Sequence, residues 1–422
     1  MSAAGRWSLE DAERYLLGLE LFGMRFGLDR MHRLMTTLDQ PERRYDTIHV
    51  VGTNGKSSTT RMIAAILQRH ELRVGAYLSP HLVSFAERIR VEDRDVEPRA
   101  FARAVERAAH AAALVDRSQQ ADDRVTQFEA LTAAAFSELA AREVDVAVIE
   151  AGLGGRWDAT NVIPSTVQVL TSVGLEHTRW LGPTVRDIAR EKLAVVRDGG
   201  TLVVGPDLHP DAEEEAHAAA ERHGARLVRA PADPGVEVAA AGAFQRRNFA
   251  LARAAAQAYL EASGRTLALD RLRAAAAAVT VPGRLQVVAH EPLTALDGAH
   301  NAEGVAALAE SLPQLTAGRR LVAVVSILDD KDAAGMLRAL LPHTEHVVFT
   351  RSRNPRALPP ATLASLCAQL DGPPCDLEAD PRRALARARE LAGAGGVVLA
   401  TGSIYLVADL LAPAGQRSAS ML

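Results

Sequence analysis

Short apolar runs recur along the chain, separated by longer stretches in which apolar positions repeat at helical spacing. The runs at 47–51, 74–78, 144–149, 167–173 and 201–204 are rich in Val, Ile and Leu, which predicts strands. Amphipathic or Ala-rich segments lie between most of them, with Ala-rich helices expected at about 211–223 and 248–262. Strands alternating with helices predict an α/β fold: a mostly parallel sheet with helices on both faces. At 279–286, "VTVPGRLQ" breaks the pattern after five consecutive alanines. A domain boundary is expected there, giving units 1–284 and 285–422. Runs at 321–325, 346–350 and 397–400 predict a second, smaller α/β unit. The tail after Leu411 is expected to fray.

Composition narrows the class. The 422 residues are 48% hydrophobic and 24% charged, as expected of a soluble globular chain. A net charge of −4 disfavours nucleic acid and anionic membrane as partners. Cys367 and Cys375 are the only cysteines, too few for a disulfide framework and suited to a reducing compartment. The charged N-terminal stretch lacks the apolar segment of a signal peptide, and no run approaches the ~18 apolar residues of a membrane helix. A cytoplasmic protein is expected.

The chemistry starts at "IHVVGTNGKSSTT", residues 48–60. Gly52 and Gly55 permit backbone conformations that other residues resist. Thr53 and Asn54 lie between them, and Lys56, Ser57 and Ser58 open a helix-like stretch. A helix N-terminus with a lysine favours an anion, and strand, glycine loop, Lys and Ser, then helix is the order of a phosphate loop. The spacing departs from G-x-x-x-x-G-K-[ST], because Val50 lies five before Gly55. A plain strand-to-helix turn would need none of these features together.

In open α/β sheets, ligands gather at the C-terminal ends of strands. Ser79-Pro80-His81 follows one predicted strand, Glu150 and the glycines to Gly155 a second, and Gly174-Leu175-Glu176-His177 a third. Singly these are a turn serine, a solvated acid and a surface histidine. At three successive strand ends, Ser79, Glu150 and His177 become candidate Mg²⁺ ligands beside a triphosphate, with water completing the shell. In "TVRDIAREKLAVV", Val185, Ile188, Ala189, Val195 and Val196 form an apolar stripe that takes in Lys192. Lys192 is either a lysine snorkelling at the stripe's edge or a buried amine of lowered pKa that could take up CO₂ as a carbamate. "TQFEALT" at 126–132 reads as a capping box, Thr126 with Glu129, and needs no catalytic role.

The ordered motifs resemble the folylpolyglutamate synthase and dihydrofolate synthase family of Mur-type ATP-dependent ligases. They are GTNGK (52–56), SPHL (79–82), ERI (87–89), TxFE (126–129), ExGLGGRxDATN (150–161), GLEHT with LGPT (174–184) and EK (191–192). PGR (282–284), DGAHN (297–301), DKD (330–332) and TGSIYLV (401–407) follow. The resemblance implies a P-loop, Mur-ligase-like ATPase domain with the folate or pteroate site, and a Rossmann-like C-terminal domain that binds glutamate. It implies that Gly52, Thr53, Asn54, Gly55, Lys56, Ser57, Ser58, Asn248, Arg284 and Asp297 meet ATP. Ser79, Glu150, His177 and Ser57 would serve two Mg²⁺ ions, with Lys192 as the family's carbamylated lysine. Ser79, Pro80, His81, Arg88, Gly154 and Asp158 would lie on the folate side, in part on a flexible loop. His300 and Ser403 would lie near the incoming glutamate. Lys56, Glu150, His177, Lys192, Arg284 and His300 would be the catalytic set. The reaction implied is ATP-dependent addition of L-glutamate to dihydropteroate or folate carboxylates through an acyl phosphate, by a monomer acting on small molecules.

This chain departs from the family's usual motifs at Ser57, Trp157, Glu176 and in "EKLAVV", none of which removes a catalytic group. Another Mur-type amide ligase, on a nucleotide-sugar peptide for instance, is the nearest alternative. A non-catalytic nucleotide-binding protein would not need Lys56, Glu150, His177 and Lys192 together. A dinucleotide oxidoreductase fits worse, because the first glycine loop carries a lysine and no GxGxxG.

Overall fold

The structure is a computed structural model that describes residues 7–20, 27–117 and 123–413. Eight strands form the first sheet: β1 (Asp46–Val51), β2 (Val74–Tyr77), β3 (Ile89–Val91), β4 (Arg94–Asp95), β5 (Val146–Glu150), β6 (Val167–Leu170), β7 (Thr201–Val204) and β8 (Arg226–Arg229). Their order is β4-β3-β2-β5-β1-β6-β7-β8. All neighbours from β2 to β8 are parallel, and only the short edge strands β3 and β4 run antiparallel. The central strands are apolar on both faces because helices cover both. On β5, Val146 and Val148 join one apolar cluster, and Ala147 and Ile149 join another across the sheet.

The second sheet has six strands: β9 (Gln286–His290), β10 (Leu293–Leu296), β11 (Leu321–Val325), β12 (His346–Phe349), β13 (Cys375–Leu377) and β14 (Val397–Thr401). They lie in the order β13-β12-β11-β14-β10-β9, parallel except for the β9–β10 pair. Side chains of the first unit pack into the second unit's apolar interior, Val83 and Phe244 at its margin and Leu82 within it. Leu82, 9% exposed, packs in a cluster with Leu296, Val322 and Val407.

Several boundaries differ from the sequence expectation. The run at 144–149 becomes a strand only from Val146 and includes Glu150 as its last residue; the run at 167–173 stops at Leu170. The helix expected at 248–262 begins at Ala243, and the one at 211–223 spans Pro210–Arg222. The helix bearing Lys192 is Val185–Leu193, so Val195 and Val196 fall beyond it and pack into the core from the turn that follows. The capping box at Thr126 is present, and Glu129 has a second task, a buried ion pair with Arg30 at 3.0 Å. The tail expected to fray lies, from residue 414, outside the described residues. Among the described residues no helix is long and apolar enough to cross a membrane.

Candidate functional site

Parallel pairing brings the ends of β5, β1 and β6 to one edge. Val50 lies opposite Glu150, and Val51 opposite Leu170. The loop from Gly52 to Gly55 therefore leaves the middle of the sheet and enters the helix Lys56–Arg69. Gly52 has φ +153°, and a Cβ there would lie 1.8 Å from Thr171 Oγ1; Gly55 has φ +87°, and its Cβ would lie 2.6 Å from Asn248 Oδ1. Only glycine fits either place. The segment after β6 braces the loop. The Thr53 amide donates to Ser172 O at 2.9 Å, the Asn54 amide to Ser172 Oγ at 2.9 Å, and Thr171 Oγ1 to Asn54 O at 2.6 Å.

Two lysine amines converge on this loop. Lys56 Nζ donates to Gly52 O at 3.0 Å and Thr53 O at 3.1 Å, while Lys192 Nζ donates to the same Gly52 O at 2.8 Å. Lys192 is only 3% exposed, which rules out the snorkelling alternative. Burial, and then the charge of Lys56, push its amine down to about 7.

Glu150 is 1% exposed. Its Oε1 accepts from Ser57 Oγ at 2.8 Å, and its Oε2 accepts from the Ser79 amide at 3.1 Å. Burial raises its pKa, against the opposing charge of Lys56 and these hydrogen bonds. The Ser79–Pro80 peptide is cis. Ser57 and Ser79 thus border one buried carboxylate, a sparse set of hard oxygens of the kind magnesium uses when phosphate and water supply the rest. Among the described residues no three His, Cys, Asp or Glu side chains gather as a metal-holding group.

The second unit closes the cavity. Asn54 and Asn301 exchange side-chain hydrogen bonds at 3.0 and 3.3 Å. Glu176 Oε1 meets Lys331 Nζ at 2.9 Å and His300 Nε2 at 3.4 Å. Burial would raise Glu176, but its bond to His300 and the charges of His300, Lys331 and His177 hold it well below the usual carboxylate range. His177, the residue that starts the short helix Thr178–Leu181, is pushed down to about 4, chiefly by burial. Asp297 is locked by amides of Leu285 and Ala299, each at 2.7 Å, and burial raises it against the nearby Arg284 charge.

A cavity of about 570 Å³ collects most of the sequence candidates. The loop residues 52–58, Ser79, Pro80, Glu150, His177, Lys192, Asn248, Arg284, Asp297 and His300 all line it. His81, Arg88, Gly154, Asp158 and Ser403 do not. His81 and Arg88 lie behind the wall, where Arg88 Nε donates to His81 Nδ1 at 2.9 Å and its guanidinium reaches Ser79 Oγ at 3.3 Å. Asp158 is buried and caps the turn Ala159–Val162. Ser403 is spent on capping the helix Ile404–Leu411. Sequence reasoning assigned no role to Glu176, Lys331 or Asn301. Their motifs were visible, but nothing along the chain signals that residues 155 apart, Glu176 and Lys331, form one ion pair.

Residues 283–404 match the family described as Mur ligase, glutamate ligase domain. The chain is 36% identical over 382 residues to a dihydrofolate synthase/folylpolyglutamate synthase of Mycobacterium tuberculosis, covering 82% of this chain and 78% of that one. A Bacillus subtilis protein of the same name is 31% identical over 426 residues, covering 95% and 98%. Among solved structures, Mycobacterium tuberculosis folylpolyglutamate synthase complexed with ADP superposes with a TM-score of 0.87 at 33% identity, covering 95% and 97% of the two chains. Escherichia coli FolC in complex with DHPP and ADP gives 0.82 at 29% identity, covering 97% and 98%.

Proposed function

The chain belongs to the dihydrofolate synthase/folylpolyglutamate synthase family of ATP-dependent ligases, and we propose how its residues divide that work. The enzyme joins L-glutamate to folate-type carboxylates at the expense of ATP. In our reading it takes both dihydropteroate and reduced folates, and works as a cytoplasmic monomer. One observation carries the assignment of roles: a phosphate loop, a buried carboxylate and a buried low-pKa lysine line the same cavity as Arg284 at the boundary and Asp297 and His300 beyond it.

ATP lies with its phosphates on Gly52–Ser58 and its nucleoside toward Asn248 and Asp297. Lys56, now held by the loop's own carbonyls, turns to the phosphates when they arrive. An acceptor carboxylate oxygen attacks the γ-phosphorus and ADP leaves, giving an acyl phosphate. The glutamate amine, presented near His300, then attacks the acyl carbon. It loses a proton, inorganic phosphate departs, and an amide remains. Positioning and charge neutralisation by Lys56 and Arg284 carry the first step. Ser57, Ser79 and Glu150 would hold Mg²⁺, with a second ion toward His177; when bound, the metal neutralises phosphate charge. Lys192 would act as its carbamate, an anion facing the same edge. The acceptor lies over Ser79–Pro80 and the loop 152–161, backed by His81, Arg88, Gly154 and Asp158. Ser403 shapes the glutamate end through the helix it caps.

Enzyme, ATP, Mg²⁺ and glutamate should release ADP when dihydropteroate or tetrahydrofolate is added; no stimulation by either acceptor would overturn the reading. Ser79→Ala should raise the Mg²⁺ concentration needed for half-maximal turnover, because it removes a hydroxyl oxygen at the metal's edge while keeping the backbone amide that Glu150 accepts from. An unchanged Mg²⁺ titration would remove Ser79 from the metal's shell.

A further inference from the structure

From β1 to the loop 151–162 runs a chain of buried polar side chains, His49, Thr160 and Asp158. His49 stands on β1, three residues before Gly52, on the sheet face opposite Ile48 and Val50. The ring is fully buried, as is Thr160. His49 Nε2 lies 2.8 Å from Thr160 Oγ1, and Thr160 Oγ1 donates to Asp158 Oδ1 at 2.5 Å. A hydroxyl has one proton to give. Here it goes to the carboxylate, so the hydroxyl accepts from His49, and the imidazole carries its proton on Nε2. The other nitrogen, Nδ1, is bare and has no hydrogen-bond partner. Burial, followed by the charge of Arg197, pushes His49 down to about 3, which keeps the ring neutral.

Asp158 passes the constraint onward. Its Oδ1 accepts the Thr160 amide at 3.0 Å, and its Oδ2 accepts the Leu153 amide at 2.8 Å. Leu153 lines the cavity. An apolar residue at position 49 would fill the core without leaving a buried nitrogen unpaired, so packing alone gives no reason for histidine.

We propose that His49 is a positioning residue: through Thr160 and Asp158 it ties the loop 151–162 to the strand that bears the phosphate loop, and so sets affinity for the acceptor and not for ATP. The identity of the acceptor rests on the function proposed above; the tether does not.

Three variants test it. His49→Gln places an amide donor near the reach of Nε2, His49→Asn places one near Nδ1, and His49→Leu removes the donor. In the Leu and Asn variants, amide hydrogen exchange across 152–162 in the ligand-free enzyme should quicken about tenfold, the loss of one buried hydrogen bond. KM for dihydropteroate or tetrahydrofolate should rise by a similar factor, about tenfold, while KM for ATP stays within about twofold. The Gln variant should restore both readouts. Unchanged exchange in the Leu variant, or a Gln variant as impaired as Leu, would overturn the proposal. Should the Leu variant fail to fold, Thr160→Val cuts the same tether from its other end and should show the same exchange signature; normal exchange there would overturn it too. Faster exchange without any folate turnover upholds the tether and overturns the acceptor assignment instead.

Discussion

Lys192→Ala is expected to lose glutamate-dependent ADP release by about 10²–10³-fold, the scale of removing one charged group from a preorganised phosphoryl-transfer site. The amine is buried against Gly52 O, beside Lys56. With a pKa near 7, much of it is neutral at physiological pH. A neutral amine can attack CO₂, lose its proton and become a carbamate anion. Short carboxylic acids should then partly rescue the Ala variant, while alkylamines should not; rescue by amines alone would mean that the ammonium is the working form. The pH dependence has a definite sign. The folded pKa lies below the unfolded value of about 10.4, so the unfolded chain binds more protons between those limits. In CO₂-free buffer the wild type should gain stability as pH rises from 7 toward 10, by up to about 1.4 kcal/mol per pH unit. Lys192→Met should lack that slope. Recovery of CO₂-depleted enzyme with bicarbonate should be better at pH 8 than at pH 6. Full activity in Lys192→Ala would remove the carbamate.

Glu150→Gln should be comparably damaging, with turnover down about 10²–10³-fold. The amide keeps the length of the side chain and one acceptor for Ser57 Oγ or the Ser79 amide, so the fold should survive. What disappears is a negative charge held in a nearly dry place, 1% exposed. The loss should appear as weakened Mn²⁺ binding in the presence of a nucleotide analogue, with metal-free nucleotide binding little changed. Wild-type Mn²⁺ affinity in this variant would show that the carboxylate is not a ligand.

The phosphate loop and its setting were legible because their signals are local. A β-branched run, two glycines and a lysine at fixed spacing dictate strand, turn and helix whatever else the chain does. Glu150 was legible for a similar reason: an acid closing an apolar run must lie at a strand end, although the run itself begins as a strand two residues later than expected. Lys192 was half legible. Periodicity put it on the apolar stripe, but only packing could decide between burial and snorkelling. Contacts between distant segments left no trace along the chain. Glu176 finds Lys331 and His300, and Asn54 finds Asn301, only because the second unit docks over the loop edge. The short edge strands β3 and β4 were missed because Arg90, Arg94 and Asp95 break apolar alternation. Ser403 was legible as a residue of the TGS turn but not as a helix cap, because a cap and a ligand contact look alike in that sequence.

Leu82 ties motion in one half to motion in the other. It follows Ser79 by three residues, yet its side chain is lodged among Leu296, Val322 and Val407. Hinging the halves apart would either withdraw this peg, at about 1.5–3 kcal/mol for re-exposing a leucine, or drag the SPHL segment along with it. The enzyme therefore has a built-in detent: product escape and the resetting of Ser79 would be geared to one another, and a smaller residue at 82 would let the gear slip.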